Sequence, residues 1–248
     1  MTQHQFLPHF SIRIIISFIF FTAIGTLSHE FGHMAVAKYF GYETTLSYGS
    51  MRYDYPGFKE DPIFIEYQKI WEENTESIKN KKEFDGQERY LELLETLKLK
   101  YPYQKPNAHW VMLGGPAQTI LTSFLGLFIL FYRKSKRKGY FVLFDWIGVF
   151  LSLFVLREVF NFIMTLYGFI FNGSTISNND EFRISRYLNL NQWTIPTITM
   201  ILGLAISLYV IFRVIPMKYR FTFIISGLIG GIAGFFMWLR FLGPIVLP

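Results

Sequence analysis

Five apolar runs constrain this chain more than anything else in it. They cover about residues 10–40, 108–132, 140–171, 194–216 and 221–240, and about 20 apolar residues suffice to cross a hydrocarbon core. Lipid offers no partner to a backbone N–H or C=O, so each run must satisfy its own amides as a helix. Only 17% of the 248 residues are charged, while 51% are hydrophobic, a balance outside that of soluble domains. The chain therefore reads as an all-α polytopic membrane protein, with residues 1–248 as one membrane-embedded domain. The first and third runs exceed what a bilayer needs and are expected to tilt, break or project. Gly148 and Gly168 are the expected weak points of the third. The first run lacks a small-residue cleavage site and leads straight into polar residues, so it reads as a retained span rather than a signal peptide.

Orientation follows from lysine and arginine. "RKSKRK" at 133–138 carries five basic residues and is expected in the cytoplasm, with Arg213, Lys218 and Arg220 on the same side. That places the N-terminus inside and the C-terminus outside, most naturally in a plasma membrane, with 43–107 and 172–193 facing outward. The ten basic residues of 43–107 are accompanied by thirteen acidic ones. A short basic run beside a span suits anionic lipid; without interleaved aromatics it speaks against nucleic acid. There are no cysteines, which excludes disulfides and thiolate ligands.

The 43–107 segment has two parts. "ETTLSYGSMRY" at 43–53 reads as a short β-hairpin or loop. Residues 62–101 carry a helical pattern, clearest in "RYLELLETLKLKY", and Asp85-Gly86 divides it into two helices. Such an insertion is either a solvated helical hairpin or a lid over a membrane site.

The polar residues of the first run are His29, Glu30 and His33, in "TLSHEFGHMAVAKYFGY". Positions i and i+4 share a helix face about 6 Å apart along the axis, so both imidazoles can bind one ion. Imidazole suits zinc. Glu30 stands beside the ion rather than on it, where it can take a proton from a water attacking a carbonyl. HExxH also occurs in helices that hold no metal. Here an ionisable residue at mid-membrane costs about 2.5–3.5 kcal/mol, which is hard to reconcile with a packing role.

"HEFGHMAVAKYFGY" resembles the signature of the site-2-protease family of intramembrane zinc metallopeptidases, including the glycine before the second histidine and the small residues after it. The resemblance implies a membrane zinc metalloendopeptidase binding one zinc ion, with His29 and His33 as ligands and Glu30 as catalytic base. "MLGGPAQTI" at 112–120 resembles the family's Gly-Pro element: Gly115 and Pro116 match, and Thr119 stands where an asparagine is usual, with Gln118 as the nearest amide. These residues, with His109 at the outer boundary of the span, are candidates for substrate or oxyanion support. Small residues also aid plain helix packing. The family's third ligand is an aspartate in an Asn-Pro-Asp-Gly type of motif. "NGSTISNNDEF" offers Asn172 and Asp180 at the matching separation, without the proline and with Glu181 after the aspartate. Asn179 or Asp180 also suits a helix cap for "EFRISRYL". Glu158, in "VLREVFNF", is the rival ligand. It stands about 27 Å along a straight third span, level with His29 by the same rise. Its other reading is an internal ion pair or hydrogen bonds, with Arg157 turned about 100° away. Asp145 lies too near the inner end.

The expected function is zinc-dependent hydrolysis of peptide bonds in membrane-spanning or membrane-proximal segments. The partners are a membrane protein or peptide substrate and the bilayer. A strand edge in 43–53 can receive an unwound substrate by β-addition. The alternative is a non-proteolytic membrane protein that keeps a metal or proton site, for transport or as a scaffold. Five histidines are too few for a di-iron lipid oxygenase. Substrate, trigger and oligomeric state are not encoded in anything legible here.

Overall fold

The computed structural model describes residues 6–103, 105–173 and 176–248. Helix α1 spans Pro8–Tyr39. Strands β1 (Glu43–Ser47) and β2 (Ser50–Asp54) then pair about the turn Tyr48-Gly49 as a two-stranded sheet. Next come α2 (Pro62–Glu73), α3 (Thr75–Lys79), α4 (Gln87–Lys100), α5 (Ala108–Tyr132), α6 (Leu143–Ser152) and α7 (Leu156–Phe171). They are followed by α8 (Asp180–Tyr187), α9 (Thr194–Tyr209), α10 (Met217–Phe236) and α11 (Gly243–Val246). Five helical stretches are long and apolar enough to cross a membrane: Pro8–Tyr39, Ala108–Tyr132, Leu143–Phe171, Thr194–Val214 and Met217–Val246. The chain is an integral membrane protein, all-α apart from the hairpin. The fifth stretch runs further than its sequence suggested, because a π turn at Met237–Leu242 carries α10 on into α11.

The described residues fall into two compact units. One holds the chain up to Val36, Leu46–Met51 and His109–Pro248; the other holds Ala37–Thr45 and Arg52–Ala108.

In the first unit, α1, α6, α9 and α10 meet in a core of Ile14, Phe150, Leu153, Val155, Ile206, Val210 and Phe223, with Phe21 stacked on Phe150 at 4.7 Å. On the outside, Ile12, Ile16 and Phe20 of α1 and Leu121, Phe124 and Phe128 of α5 are exposed at helical spacing. Apolar stripes left uncovered on a bundle of this composition are lipid faces. Hydroxyls join helices across the interior, with Ser11 and Ser226 side chains 2.7 Å apart and the Leu7 N–H donating to Thr222 Oγ1 at 3.0 Å. The hairpin turn is seated on the last helical stretch. Trp238 Nε1 donates to the Tyr48 carbonyl at 2.8 Å, and the Tyr48 N–H donates to the Leu247 carbonyl at 2.9 Å.

The third membrane stretch does break, but at neither Gly148 nor Gly168. The interruption is a 3₁₀ turn at Leu153–Val155. Gly148 instead admits Leu130 and Ile129 of α5. A break inside lipid needs a substitute partner for each freed amide. Ser123 of α5 supplies one: its hydroxyl accepts the Val155 N–H at 3.0 Å while donating to the Thr119 carbonyl at 3.0 Å. The turn reorients Arg157 and Glu158, which begin α7.

Near its start, the same stretch buries Asp145 completely. This carboxylate is saturated: Arg133 Nε donates at 3.0 Å, Lys138 Nζ at 2.8 Å, Ser135 Oγ at 2.5 Å and the Val142 N–H at 3.1 Å. The basic run thus folds back on one acid.

The second unit is a helical hairpin. Leu93 and Leu97 are its buried apolar residues on α4, and Tyr67 of α2 stacks on Tyr90 of α4 at 5.0 Å. Burial pushes the Tyr67 phenol up to about 12. Arg89 forks onto Glu66 at 2.8 and 2.9 Å. Asp61 caps α2 through the Ile63 N–H at 2.8 Å and also accepts from Lys100 Nζ at 2.6 Å and Tyr101 Oη at 2.8 Å, so one carboxylate ties the start of α2 to the end of α4. The Lys100 contact, then those of Tyr101 and Ile63, hold its pKa down at about 2.

Candidate metal centre

The centre lies where α1 crosses α5. Helix axes normally stand 8–10 Å apart, and glycines bring these closer. A Cβ on Gly32 would strike the Gly114 backbone, and one on Gly114 would strike that of Gly32. One turn deeper in α1 the same device serves the imidazoles. A Cβ on Gly115 would occupy the space of both His29 Nε2 and His33 Nε2. The two rings therefore lie against bare backbone of α5. His29 is fully buried, and Glu30 and His33 nearly so.

Each ring is held from behind. His33 Nδ1 donates to the Val111 carbonyl at 2.7 Å, and His29 Nδ1 lies 2.9 Å from Thr119 Oγ1. A carbonyl only accepts, so the proton of neutral His33 sits on Nδ1 and the lone pair on Nε2. The Thr119 contact lets His29 adopt the same tautomer. Both Nε2 atoms then turn inward, 3.2 Å apart.

Asp180 completes the group. Its Oδ2 lies 3.1 Å from each Nε2. It is placed by α8, whose Phe182 packs on Trp193 at 5.0 Å and whose Ser185 Oγ accepts the Ile195 N–H at 3.0 Å. Asn179 occupies the cap position of α8, but its side chain donates to Thr165 Oγ1 of α7 at 2.9 Å instead of capping. Burial disfavours the Asp180 charge, and contact with the two imidazoles more than offsets this, so the carboxyl sits well below the ordinary range.

His29, His33 and Asp180 form a group able to hold a metal ion. The observed edges of 3.1–3.2 Å are close to the roughly 3.3–3.5 Å expected between neighbouring nitrogen and oxygen ligands of a tetrahedral zinc ion. The same 3.1 Å distances also suit hydrogen bonds from the rings to Asp180, which would set two N–H groups side by side across the 3.2 Å edge.

The other residues singled out by sequence lie as follows. Glu30, one residue on from His29, has Arg157 Nη2 at 3.9 Å from its Oε1. Glu158 does not join the group. It lies buried in the first turn of α7, beside Glu181. Neither Glu158 oxygen, nor Glu181 Oε1, meets a donor of another kind among the described residues; the two carboxyls face each other, close enough to share a proton. Pro116 is buried within α5. Gln118 Nε2 donates to Ser28 Oγ and, at 2.8 Å, to Thr122 Oγ1. His109 stacks on Tyr187 at 4.7 Å, nearly parallel, outside the donor group. Asn172 ends α7 and is exposed; Ser174 and Thr175, inside the motif that led to Asp180, fall outside the described residues. Sequence reasoning passed over Arg157, although a charge inside an apolar stretch is itself a signal.

No protein-family model, no curated protein and no solved structure matches the chain.

Proposed function

We propose that this chain is a zinc-dependent intramembrane endopeptidase of the site-2-protease kind, hydrolysing peptide bonds in membrane-spanning or membrane-proximal segments. The observation that carries this reading is the triangle of His29 Nε2, His33 Nε2 and Asp180 Oδ2, with edges of 3.1–3.2 Å and an acid, Glu30, on the adjoining helix position. Two histidines and a carboxylate are the donor set of catalytic zinc, which keeps a fourth place open. When bound, zinc would polarise a carbonyl and lower the pKa of a water to about 7. The chain supplies the rest. The Val111 carbonyl fixes the His33 tautomer and Thr119 orients the His29 ring, the kind of outer support that ligand histidines require. Glu30, 6% exposed, is the base that takes the water's proton. The hairpin contributes Met51, whose backbone N–H is directed at the Glu30 carboxylate. Its strand edge suits an extended substrate. The basic run at 133–138 supports an inside N-terminus and an outside C-terminus in a plasma membrane.

The test uses purified full-length protein. Metal analysis should find one zinc per chain, lost in His33→Ala and kept in Glu30→Gln. Synthetic single-span peptides in liposomes, followed by mass spectrometry, should be cut by the wild type and not by Glu30→Gln. Cleavage that survives Glu30→Gln would sink the peptidase reading.

A second reading, a non-proteolytic protein with a metal or proton site, draws on one observation. Buried Glu158 and Glu181 face each other and, among the described residues, meet no other donor at Glu158 Oε1, Glu158 Oε2 or Glu181 Oε1, and acids of that kind inside a membrane suit proton transfer. It predicts zinc without cleavage.

A further inference from the structure

Arg157 opens α7, directly after the 3₁₀ turn of the third stretch. A guanidinium in a membrane-spanning segment is costly and is expected to face a partner or a functional space. Arg157 has neither a hydrogen bond nor a close ion pair among the described residues. Its Nε is buried with no acceptor, and its contact with Glu30 Oε1 is 3.9 Å, well beyond the roughly 2.7–2.9 Å of a charge-assisted hydrogen bond. Buried donors are almost always satisfied, and an exception calls for a role.

Its surroundings narrow that role. Glu30 marks where, on the reading above, an attacking water gives up its proton. The carbonyl attacked by that water must lie beside Glu30, and its oxygen needs a donor as charge develops on it. The polar residues best placed for this by sequence are committed elsewhere: Thr119 to His29, Gln118 to Ser28 and Thr122, and His109 to the face of Tyr187. Arg183, half exposed on α8, stands 3.9 Å from Asp180 Oδ1, beside a candidate ligand, whereas Arg157 stands at that distance from Glu30. Arg157 keeps its fork free of hydrogen bonds among the described residues, with 29% of the side chain exposed.

Resting on the peptidase reading, we infer that Arg157 is a catalytic residue whose guanidinium binds the oxygen of the scissile carbonyl as it becomes anionic. The water oxygen bonds to the carbonyl carbon, and the C=O π pair moves onto the oxygen facing Arg157. Glu30 takes a proton from the water. It delivers that proton to the amide nitrogen as the pair returns and the C–N bond breaks. The products are an amine and a carboxylic acid that keeps the water's second proton; loss of that proton to the amine gives carboxylate and ammonium. A planar fork of donors matches an oxyanion better than an ammonium would.

The experiment compares wild type, Arg157→Met and Arg157→Lys as zinc-loaded full-length protein. The probes are a single-span peptide cut by the wild type and its phosphinate counterpart, a non-cleavable tetrahedral mimic. Arg157→Met should keep its zinc and its KM within about threefold, and lose about 10²–10³-fold in kcat. Phosphinate affinity should fall in parallel with kcat, and Arg157→Lys should recover part of both. A kcat within threefold of wild type overturns the assignment, as does a loss confined to KM or an unchanged phosphinate affinity. Each of these leaves the peptidase reading standing. If Arg157→Met loses zinc or does not fold, Arg157→Lys decides: a tenfold or larger fall in kcat with zinc retained supports the role, and wild-type kcat removes it. A wild type that neither holds zinc nor cleaves removes both ideas together.

Discussion

The two ends of the third membrane stretch each bury an acid and treat it in opposite ways. Asp145, on α6, is fully buried with four donors on it, among them Arg133 and Lys138. Glu158, on α7, is nearly as buried, and among the described residues its oxygens meet no donor except the facing Glu181 carboxyl. Burying an ion with its donors satisfied holds a structure in one arrangement; burying one without them is costly unless something else is gained. The saturated acid sits beside the basic loop. The unsaturated one sits near the donors of the candidate metal centre, together with an uncommitted Arg157. Charge economy alone therefore separates a structural end from a working end.

Exchanging the roles gives the largest effect. Asp180→Ala should reduce zinc from one equivalent to less than about a tenth and abolish cleavage, since two protein ligands do not make a catalytic zinc site. Asp145→Ala should do the reverse, keeping zinc while lowering stability by about 2 kcal/mol, because it strips two basic side chains of their shared partner. Metal analysis and thermal unfolding of the two variants read this out, and zinc loss in Asp145→Ala would erase the contrast.

Thr119→Val probes the working end more gently. It removes the hydroxyl 2.9 Å from His29 Nδ1 while keeping the side-chain shape. Support of this kind is worth about 10–100-fold in metal affinity. Competition against a chelator would reveal it, and an unchanged dissociation constant would mean that His29 is oriented by packing alone.

Glu158→Gln should be smaller and of opposite sign. The amide adds donors where Glu158 and Glu181 now oppose each other, so stability should rise by about 1 kcal/mol, near 3 °C for a chain of this size. Zinc content should not change. A fall in the thermal midpoint would show that Glu158 has a partner worth keeping.

The smallest effect belongs to Asp61, the counterpart of Asp145 in the helical hairpin. Donation from Lys100, Tyr101 and Ile63 lowers its pKa from the ordinary 3.8 to about 2. The stability it contributes is then complete above about pH 4 and disappears as the pH falls through about 2. Hydrogen exchange of α2 and α4 should quicken over that window in the wild type. In Asp61→Asn the same window should be flat, and a variant that kept the wild-type slope would assign the acid sensitivity to another group.

Much of this was legible in the chain, because apolar length and a rare pair of histidines are local signals. The five stretches, the hairpin at 43–54 and the helix bearing His29 and His33 needed no tertiary information. The choice between Asp180 and Glu158 did. So did the break at Leu153–Val155, which is supported by a serine on another helix, Ser123. No periodicity within 140–171 encodes that hydroxyl. Gly148 and Gly168 are the obvious weak points locally, yet packing against α5 uses Gly148 for contact. Arg157 was discounted as Glu158's neighbour, although the helical step that turns it from Glu158 turns it towards Glu30. His109 kept the expected boundary position, but its ring lies flat on Tyr187, a partner 78 residues away by its number in the sequence.

The seat of the hairpin turn carries a consequence for biogenesis. Tyr48 is held by Trp238 and Leu247, residues that leave the ribosome some two hundred positions later. Until that distant segment has been synthesised and inserted, the turn has no anchor and the strand beside Glu30 has no fixed address. A half-made chain would carry His29 and His33 into the bilayer before the strand that stands beside Glu30 is held in place.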